Sequence, residues 1–477
     1  MEFIKNLSIK KIFLISCLIH LIASIFSSGF HHFDEHFQIY EFLNFKLGQT
    51  PAQDLPWEHR EMVRPWIQVY FYLGIQKAIS FLGIQSPFIF AFIFRLITSF
   101  FGLYSIYCFI PVLREWFKKE ESFKLSLVLL NFCWYIPYIQ TRTNAESMST
   151  SLFLIGMSLF LQIQQRESYF TSFVSGVFLG ASYLVRYQLA LMTAFLWFWA
   201  LIFKKIKLQY LAIIAVSILL MIGFGILTDY WGYGKWTFAP LNLFTSNFTD
   251  GRLEGSGVSP FWYYIKKSLF SGIPPVSLPL IIATFWGWYK KWKHPLTWAT
   301  LPLFLFHSYI GHKELRYIFP VIVMCTIYSV YFFEQYRDKV LSYPKTLKVI
   351  VSINILFLVI SIFRAANPSV KFYQFIWNHP EIKKIVTEVE NPFTMLGLNI
   401  HYYKRENISI EKVTNFKDRI HSDEYHFFNR GHYIFKMESY PHCKSIFMAY
   451  PKWSLKFNIG NWLSRSRVWS LYKCKNK

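Results

Sequence analysis

Charge is scarce in this chain, and acid scarcer still. Of 477 residues only 16% are charged, and 27 acids face 50 Lys and Arg. A soluble domain carries about a quarter charged residues, so a water-exposed surface over most of this length is excluded. The six cysteines are scattered, with no CxxC and no His spacing that suits a metal. No internal repeat is evident. The first apolar run, about 11–28, follows Lys10 and Lys11 and has no small-residue cleavage site after it, so it reads as an uncleaved span.

What is present in their place is apolar. Hydrophobic residues make up 53% and Phe alone occurs 51 times, in runs such as FIFAFIF at 88–94. A bilayer core of ~30 Å needs about 20 apolar residues per helix. Candidate spans lie near 11–28, 87–113, 125–140, 150–165, 169–185, 189–203, 208–228, 269–288, 295–310, 317–334 and 346–363. The expected class is an all-α, multi-pass integral membrane protein with about eleven transmembrane helices. Cys17, Cys108, Cys133 and Cys325 fall in these runs and read as small core residues.

The stretch 66–82 offers a twelfth span, and the positive-inside rule decides against it. Without it, Lys5, Lys10, Lys11 and the clusters around Arg114, Lys119, Lys204, Lys207, Lys290 and Lys293 share the cytoplasmic side. Counting it would flip them outside. The segment is therefore expected to lie in the outer interface, anchored by Trp66, Tyr70 and Tyr72. The same placement of bases beside apolar runs argues against a nucleic-acid partner despite a formal charge of +23. The membrane domain is expected over 1–363, with an outer loop at 29–86 carrying interfacial helices and a second outer loop at 229–268. The tail 364–477 reads as a small extracytoplasmic domain with a core from Trp377, Trp453, Trp462 and Trp469. A disulfide between Cys443 and Cys474 is open to it on that side.

The densest polar cluster is His31-His32-Phe33-Asp34-Glu35-His36-Phe37-Gln38, followed by Glu41. The run 34–46 reads as a short amphipathic helix, with Phe37, Tyr40, Leu43 and Phe45 towards lipid and Asp34, Gln38 and Glu41 on the other face. Carboxylates beside a bilayer are partly desolvated, which raises a pKa and makes a better base. An acidic turn capping a helix fits the same spacing. A second cluster comprises His307, Ser308 and Gly311-His312-Lys313-Glu314-Leu315-Arg316-Tyr317. Its cations suit a phosphate, and an ordinary interfacial loop with Glu314 paired to Lys313 or Arg316 suits the residues equally. Arg95, Glu146 and Arg186 are costly in hydrocarbon, and Arg142 is spaced to pair with Glu146. The aromatic segment 229–268 fits a sugar or an interface belt.

Taken together, HHFDEHFQIYE (31–41) and HSYIGHKELRYIFPV (307–321) resemble the signatures of glycosyltransferase family 22. These are GT-C-fold mannosyltransferases that use dolichyl-phosphate-mannose. LPWEHREMVRPWI (55–67) and DYWGYGKWTFAPLNLFTSN (229–247) look like the family's intervening segments. The DEHFQ form is closer to the branch adding the third mannose of the glycosylphosphatidylinositol core than to the N-glycan branches. The resemblance implies transfer of one mannose, or a similar hexose, from a polyprenyl- or dolichyl-phosphate-sugar to a mannose-containing glycolipid or lipid-linked glycan, with inversion. Asp34 would be the general base and Glu35 its runner-up or a positioner. His312, Lys313 and Arg316 would hold the donor phosphate, and His32, Gln38 and Glu41 would shape the acceptor side. No metal or other cofactor is implied, although an Asp-Glu pair is of a kind that can hold a divalent ion. The active site would face the endoplasmic-reticulum lumen in a eukaryote and the periplasm in a bacterium.

The sequons at Asn247 and Asn407 fall on that outer side. Lys473-x-Lys475-x-Lys477 resembles a retrieval signal, but such a signal works only from the cytoplasm. A transporter or flippase of lipid-linked sugars is the rival from another class. It would place ionisable residues near the midplane and often repeat its architecture. Here the polar residues gather at one face. An oligosaccharide polymerase or ligase is the second enzyme reading.

Overall fold

The computed structural model describes residues 6–250, 252–255, 257–419, 423–437, 439–458, 461–465 and 467–475. Lys5 and Lys477, used in the reading above, lie outside them. By contacts the chain divides into two compact units. The first comprises the residues up to Ser27, Trp57–Ala78 and Phe92–Arg364. The second comprises Ser28–Pro56, Ile79–Ala91 and the chain from Ala365 onward.

The first unit is helical. Every one of the expected spans coincides with helical segments. Among the described residues four helices are long and apolar enough to cross a membrane: Ile9–Phe26, Pro87–Trp116, Leu208–Tyr233 and Pro344–Phe363. Leu315–Cys325 and Tyr328–Gln335, bent by 42°, make a fifth if taken together. The remaining helices are shorter or interrupted for reasons the sequence states. The run 125–140 breaks between Glu120–Phe132 and Tyr135–Gln140. Pro279 and Pro302 lie inside Pro274–Lys290 and Pro295–Tyr309 and remove ladder donors.

Ala145–Gln162 forms a buried strut of this unit. Its Ser and Thr residues lower its hydropathy, but their hydroxyls are satisfied locally: Thr150 donates to Glu146 O at 2.6 Å and Ser151 to Ser147 O at 3.1 Å. Small residues let the neighbours close in. A Cβ at Gly176 of Tyr169–Val185 would lie 2.6 Å from the Ile214 carbonyl oxygen of Leu208–Tyr233.

The segment expected to rest in the interface forms a helix, Ile67–Ser80, but its named anchors point elsewhere. Trp66 and Tyr72 are fully buried. Trp66 donates its backbone N–H to Asp229 at 2.9 Å and lies so close to Gly232 that a Cβ there would meet the indole at 2.1 Å. Tyr72 shares a 2.6 Å hydrogen bond with Thr98. A hydroxyl and a planar ring found protein partners, so only Tyr70, half-buried, retains the anticipated exposure.

The second unit corrects the all-α expectation. It holds a five-stranded mixed sheet in the order Ser409–Lys412, Lys384–Thr387, Tyr425–Arg430, Arg467–Cys474, Cys443–Met448. The first two pairings are parallel and the last two antiparallel. Cys443 and Cys474 are register partners joined by a disulfide. The core is built of phenylalanines, isoleucines and tyrosines, and of the four tryptophans only Trp469 is buried in it. Phe372 of Ser369–Asn378 packs on Phe427, Phe447 and Trp469. Trp469 is buried, whereas Trp453 is 67% exposed on a short turn outside the sheet.

Candidate active site

The acidic motif folds as one continuous helical stretch in the second unit. His32 caps it, accepting from the Asp34 N–H at 3.3 Å. An α-turn at Phe33–Glu35 passes into a π-helical segment, His36–Glu41, and returns to α at Phe42–Lys46. A π turn brings residues five apart onto one face. The consequence is a 2.9 Å bond between His36 Nε2 and Glu41 Oε1, both fully buried. The face expected to meet lipid is also inside: Phe37, Tyr40 and Leu43 are buried in protein, and Tyr40 packs on Tyr402 at 4.9 Å.

Glu41, expected on the acceptor side, is fully buried and bonded within the protein. Its Oε1 also accepts from the backbone N–H groups of His401 and Tyr402, at 2.8 and 3.0 Å, and its Oε2 from Thr50 at 2.6 Å. Burial pushes its carboxyl up, but the bonds and charge of His36 and those of Thr50 and Tyr402 outweigh this and hold it below the usual range. Tyr403 completes the support, stacked on His36, Phe88 and Tyr373. Glu35 is similarly occupied, since its Oε2 takes the His31 N–H at 2.8 Å and the residue is 1% exposed. Asp34 is different. Its side chain is 10% accessible, and its Oδ1 stands 3.6 Å from Nδ1 of the partly exposed His32. Gln38 is half-buried on the same stretch. Asp54 and His401 were not anticipated; they pair at 2.7 Å beside this cluster.

The second motif belongs to the first unit and forms a chain of charge. His312 bonds Glu314 at 3.1 Å, Glu314 bonds Arg316 at 2.6 Å, Arg316 reaches Glu146 at 3.4 Å, and Glu146 takes Arg186 at 3.0 Å. Glu146, Arg186 and Arg316 are all buried. Both guanidinium groups lie over the Tyr317 ring, at 5.2 and 5.4 Å. Burial pushes the Arg186 guanidinium below its usual value; Glu146 opposes this, and the nearby charges of Arg64 and Arg316 add to it. Arg64 in turn holds Glu58 at 3.4 Å, and its backbone is clasped by the Tyr233 hydroxyl. Three buried or half-buried arginines thus converge. His307 Nε2, Ser308 Oγ and Tyr187 OH are buried there without a hydrogen-bond partner among the described residues.

Lys313 plays a different part from the one expected. Its ammonium donates to the carbonyls of Ser259 at 2.8 Å, Gly311 at 3.4 Å and Ile310, and burial lowers its pKa. Three donors face three carbonyls, so it fastens the loop rather than offering charge. Arg142 donates to Ser27 and Arg95 to the Ser24 carbonyl. The segments 57–66 and 229–250 meet through Asn242, which donates to the Glu61 and Met62 carbonyls, and Arg252 pairs with Glu61 at 2.9 Å. Arg64 lay within the familiar segment 55–67 without being singled out, and Arg186 was noted only as costly in hydrocarbon, because a sequence does not show which charges share a neighbourhood. Among the described residues no group of three His, Cys, Asp or Glu is placed to hold a metal ion.

The pattern that defines the Alg9-like mannosyltransferase family matches residues 11–401, which include both motifs. This chain belongs to that family. Among curated proteins, the chain is similar to the mannosyltransferase APTG1 of Arabidopsis thaliana, 24% identical over 68% of this chain and 59% of its own length. The GPI mannosyltransferase 3 of Yarrowia lipolytica is 26% identical over 56% of this chain and 52% of its own. The chain thus spans between half and three fifths of these two relatives. In fold it is similar to ArnT from Cupriavidus metallidurans, whose crystal structure was solved with undecaprenyl phosphate. The TM-score is 0.57 at 10% identity, covering 96% of this chain and 97% of that one. Membership of the family and the apolar helices make this an integral membrane protein.

Proposed function

We propose that the protein is an inverting α-mannosyltransferase. It takes one mannose from a polyprenyl-phosphate carrier and delivers it to a mannose-bearing glycolipid on the extracytoplasmic face. The observation that carries this reading is the pairing of Arg186 and Arg316 with Glu146 over the Tyr317 ring, with Arg64 near enough to act on the charge of Arg186. Guanidinium forks suit a phosphate that gains charge as its sugar leaves. Arg186 and Arg316 take the role first assigned to His312, Lys313 and Arg316 together. The leaving polyprenyl phosphate departs as a stable anion and needs no general acid.

Asp34 supplies the other half of the reaction. It accepts the proton of the acceptor hydroxyl as that oxygen bonds to the anomeric carbon and the bond to the phosphate oxygen breaks. A β-linked donor then gives an α-mannoside. Asp34 is preferred to Glu35 because it retains access while Glu35 is spent on the His31 N–H. His32 and Gln38 border the acceptor. The name of the Yarrowia relative supports a glycosylphosphatidylinositol precursor as acceptor, and the Cys443–Cys474 disulfide supports an oxidising compartment.

The test is transfer of radiolabelled mannose by the purified chain from polyprenyl-phosphate-mannose to a short mannosylated lipid. Transfer by wild type and its loss in Arg186→Gln, with folding intact, is the expected result. No transfer across several donors and acceptors would overturn the reading in favour of transport.

A further inference from the structure

The loops at the opposite end of the first unit build a second charged feature that mannosyl transfer does not use. Helix Pro295–Tyr309 has His307 near one end and His294 as its cap at the other, roughly 20 Å away at 1.5 Å per residue. Around His294 lies a cavity of about 390 Å³. Lys205, Lys290, Lys291 and Lys293 line it, with Trp199 and Trp292. Segments distant in sequence thus bring four lysines to one cavity, and the ammonium groups of Lys291 and Lys293 lie over the rings of Tyr331 and Trp292 at 4.8 and 5.0 Å.

Among the described residues none of these four lysines has a carboxylate partner. Only one carboxylate, Glu115, lines the cavity, and it accepts from Gln165. The walls are fixed rather than loose. Trp199 Nε1 donates to the Lys293 carbonyl at 2.8 Å, and His294 packs on Trp116 at 4.4 Å while bonding Tyr331 at 3.0 Å. The N-terminus of Pro295–Tyr309 opens here and adds its positive dipole end. Uncompensated positive charge held in place is a liability unless an anion shares it.

Apolar side chains identify the source of that anion. Leu201 and Ile202, just before Lys205, are 41% and 56% exposed, and Trp292 at the cavity is 56% exposed. A soluble anion needs no such rim, whereas a lipid lays acyl chains on it and its headgroup among the indoles. We propose that this cavity binds the phosphate headgroup of an anionic phospholipid. The lysines hold the phosphate, the indoles stand at headgroup level, and the site is separate from the arginine cluster.

The experiment uses the full chain purified in neutral detergent and exposed to equal dioleoylphosphatidylglycerol and dioleoylphosphatidylcholine, with retained lipid read by native mass spectrometry. Wild type is expected to keep phosphatidylglycerol preferentially. The variant K205Q/K290Q/K291Q/K293Q is expected to lose that preference by at least about tenfold, given a contribution of order 1 kcal/mol from each base near an anionic surface. Lys345→Gln with Lys348→Gln removes charge elsewhere and is expected to change nothing. Equal loss in both variants would show diffuse attraction and overturn the proposal, as would unchanged retention in the fourfold variant. Displacement of phosphatidylglycerol by millimolar inorganic phosphate, without any lipid preference, would overturn the lipid assignment.

Discussion

Glu41 accepts the backbone N–H of His401 at 2.8 Å, across 360 positions of sequence. The carboxylate of the first conspicuous motif is thereby a structural tie within the second unit. Glu41→Ala strands His36, Thr50 and two backbone N–H groups, at a cost of about 3–5 kcal/mol. The thermal midpoint in detergent should fall, while activity per folded molecule is retained. The pH dependence has a definite sign. Because the folded pKa lies below the ordinary value of 4.5, Glu41 contributes stability above that value and loses it as pH falls through the folded one. Glu41→Gln should flatten that acid limb in a melting series.

Asp34 and its neighbour Glu35 should separate kinetically. Asp34→Asn keeps the shape but cannot take a proton, and kcat should fall by about 10²–10⁴-fold with donor binding intact. Glu35→Gln should cost less in kcat, because its carboxylate serves the His31 N–H. Single-turnover transfer together with a donor-binding titration checks both. Equal losses would move the base to the pair.

Arg186→Lys and Arg316→Lys retain charge and lose the planar fork, so kcat/KM should drop on the order of 10²-fold in each. Lys313→Gln is expected to behave otherwise. Its ammonium is spent on carbonyls of the 259–311 contact, so the larger effect should be on melting. Measuring kcat/KM and thermal midpoint on the same preparations distinguishes a phosphate ligand from a loop fastener.

Without reductant, a denatured sample should expose four reactive thiols, those of Cys17, Cys108, Cys133 and Cys325. With reductant, Cys443 and Cys474 should join them. Closing a loop of 31 positions is worth about 3 kcal/mol to the region, so Cys443→Ser should lower its melting point measurably. Maleimide mass shifts provide the count.

What could be read from sequence followed the strength of each local signal. Apolar runs of span length located the helices, because nothing but a bilayer or a core tolerates them. The Asp34 and Arg316 motifs were visible because unlike charges crowd into few residues. Glu41 was grouped with Asp34 and Gln38 because a 3.6-residue period places them together, whereas the π turn resets that period and sets Glu41 against His36. Lys313 looked available because a sequence shows an ammonium but not the carbonyls of Ser259 and Ile310 that receive it. Arg64 and Arg186 join Arg316 only in three dimensions. The tail's sheet was missed because its strands are short and each carries a mixed pattern, as in Tyr425–Arg430.

The sheet also imposes an order on biosynthesis. Arg467–Cys474 is the last described strand in the chain, yet it lies between Tyr425–Arg430 and Cys443–Met448. Those two neighbours leave the ribosome before the strand that joins them. The nascent tail must therefore stay open, without its Cys443–Cys474 disulfide, until Cys474 has been synthesised. Oxidation then marks completion of the sheet, which makes the region a point at which a folding monitor can distinguish finished from unfinished molecules.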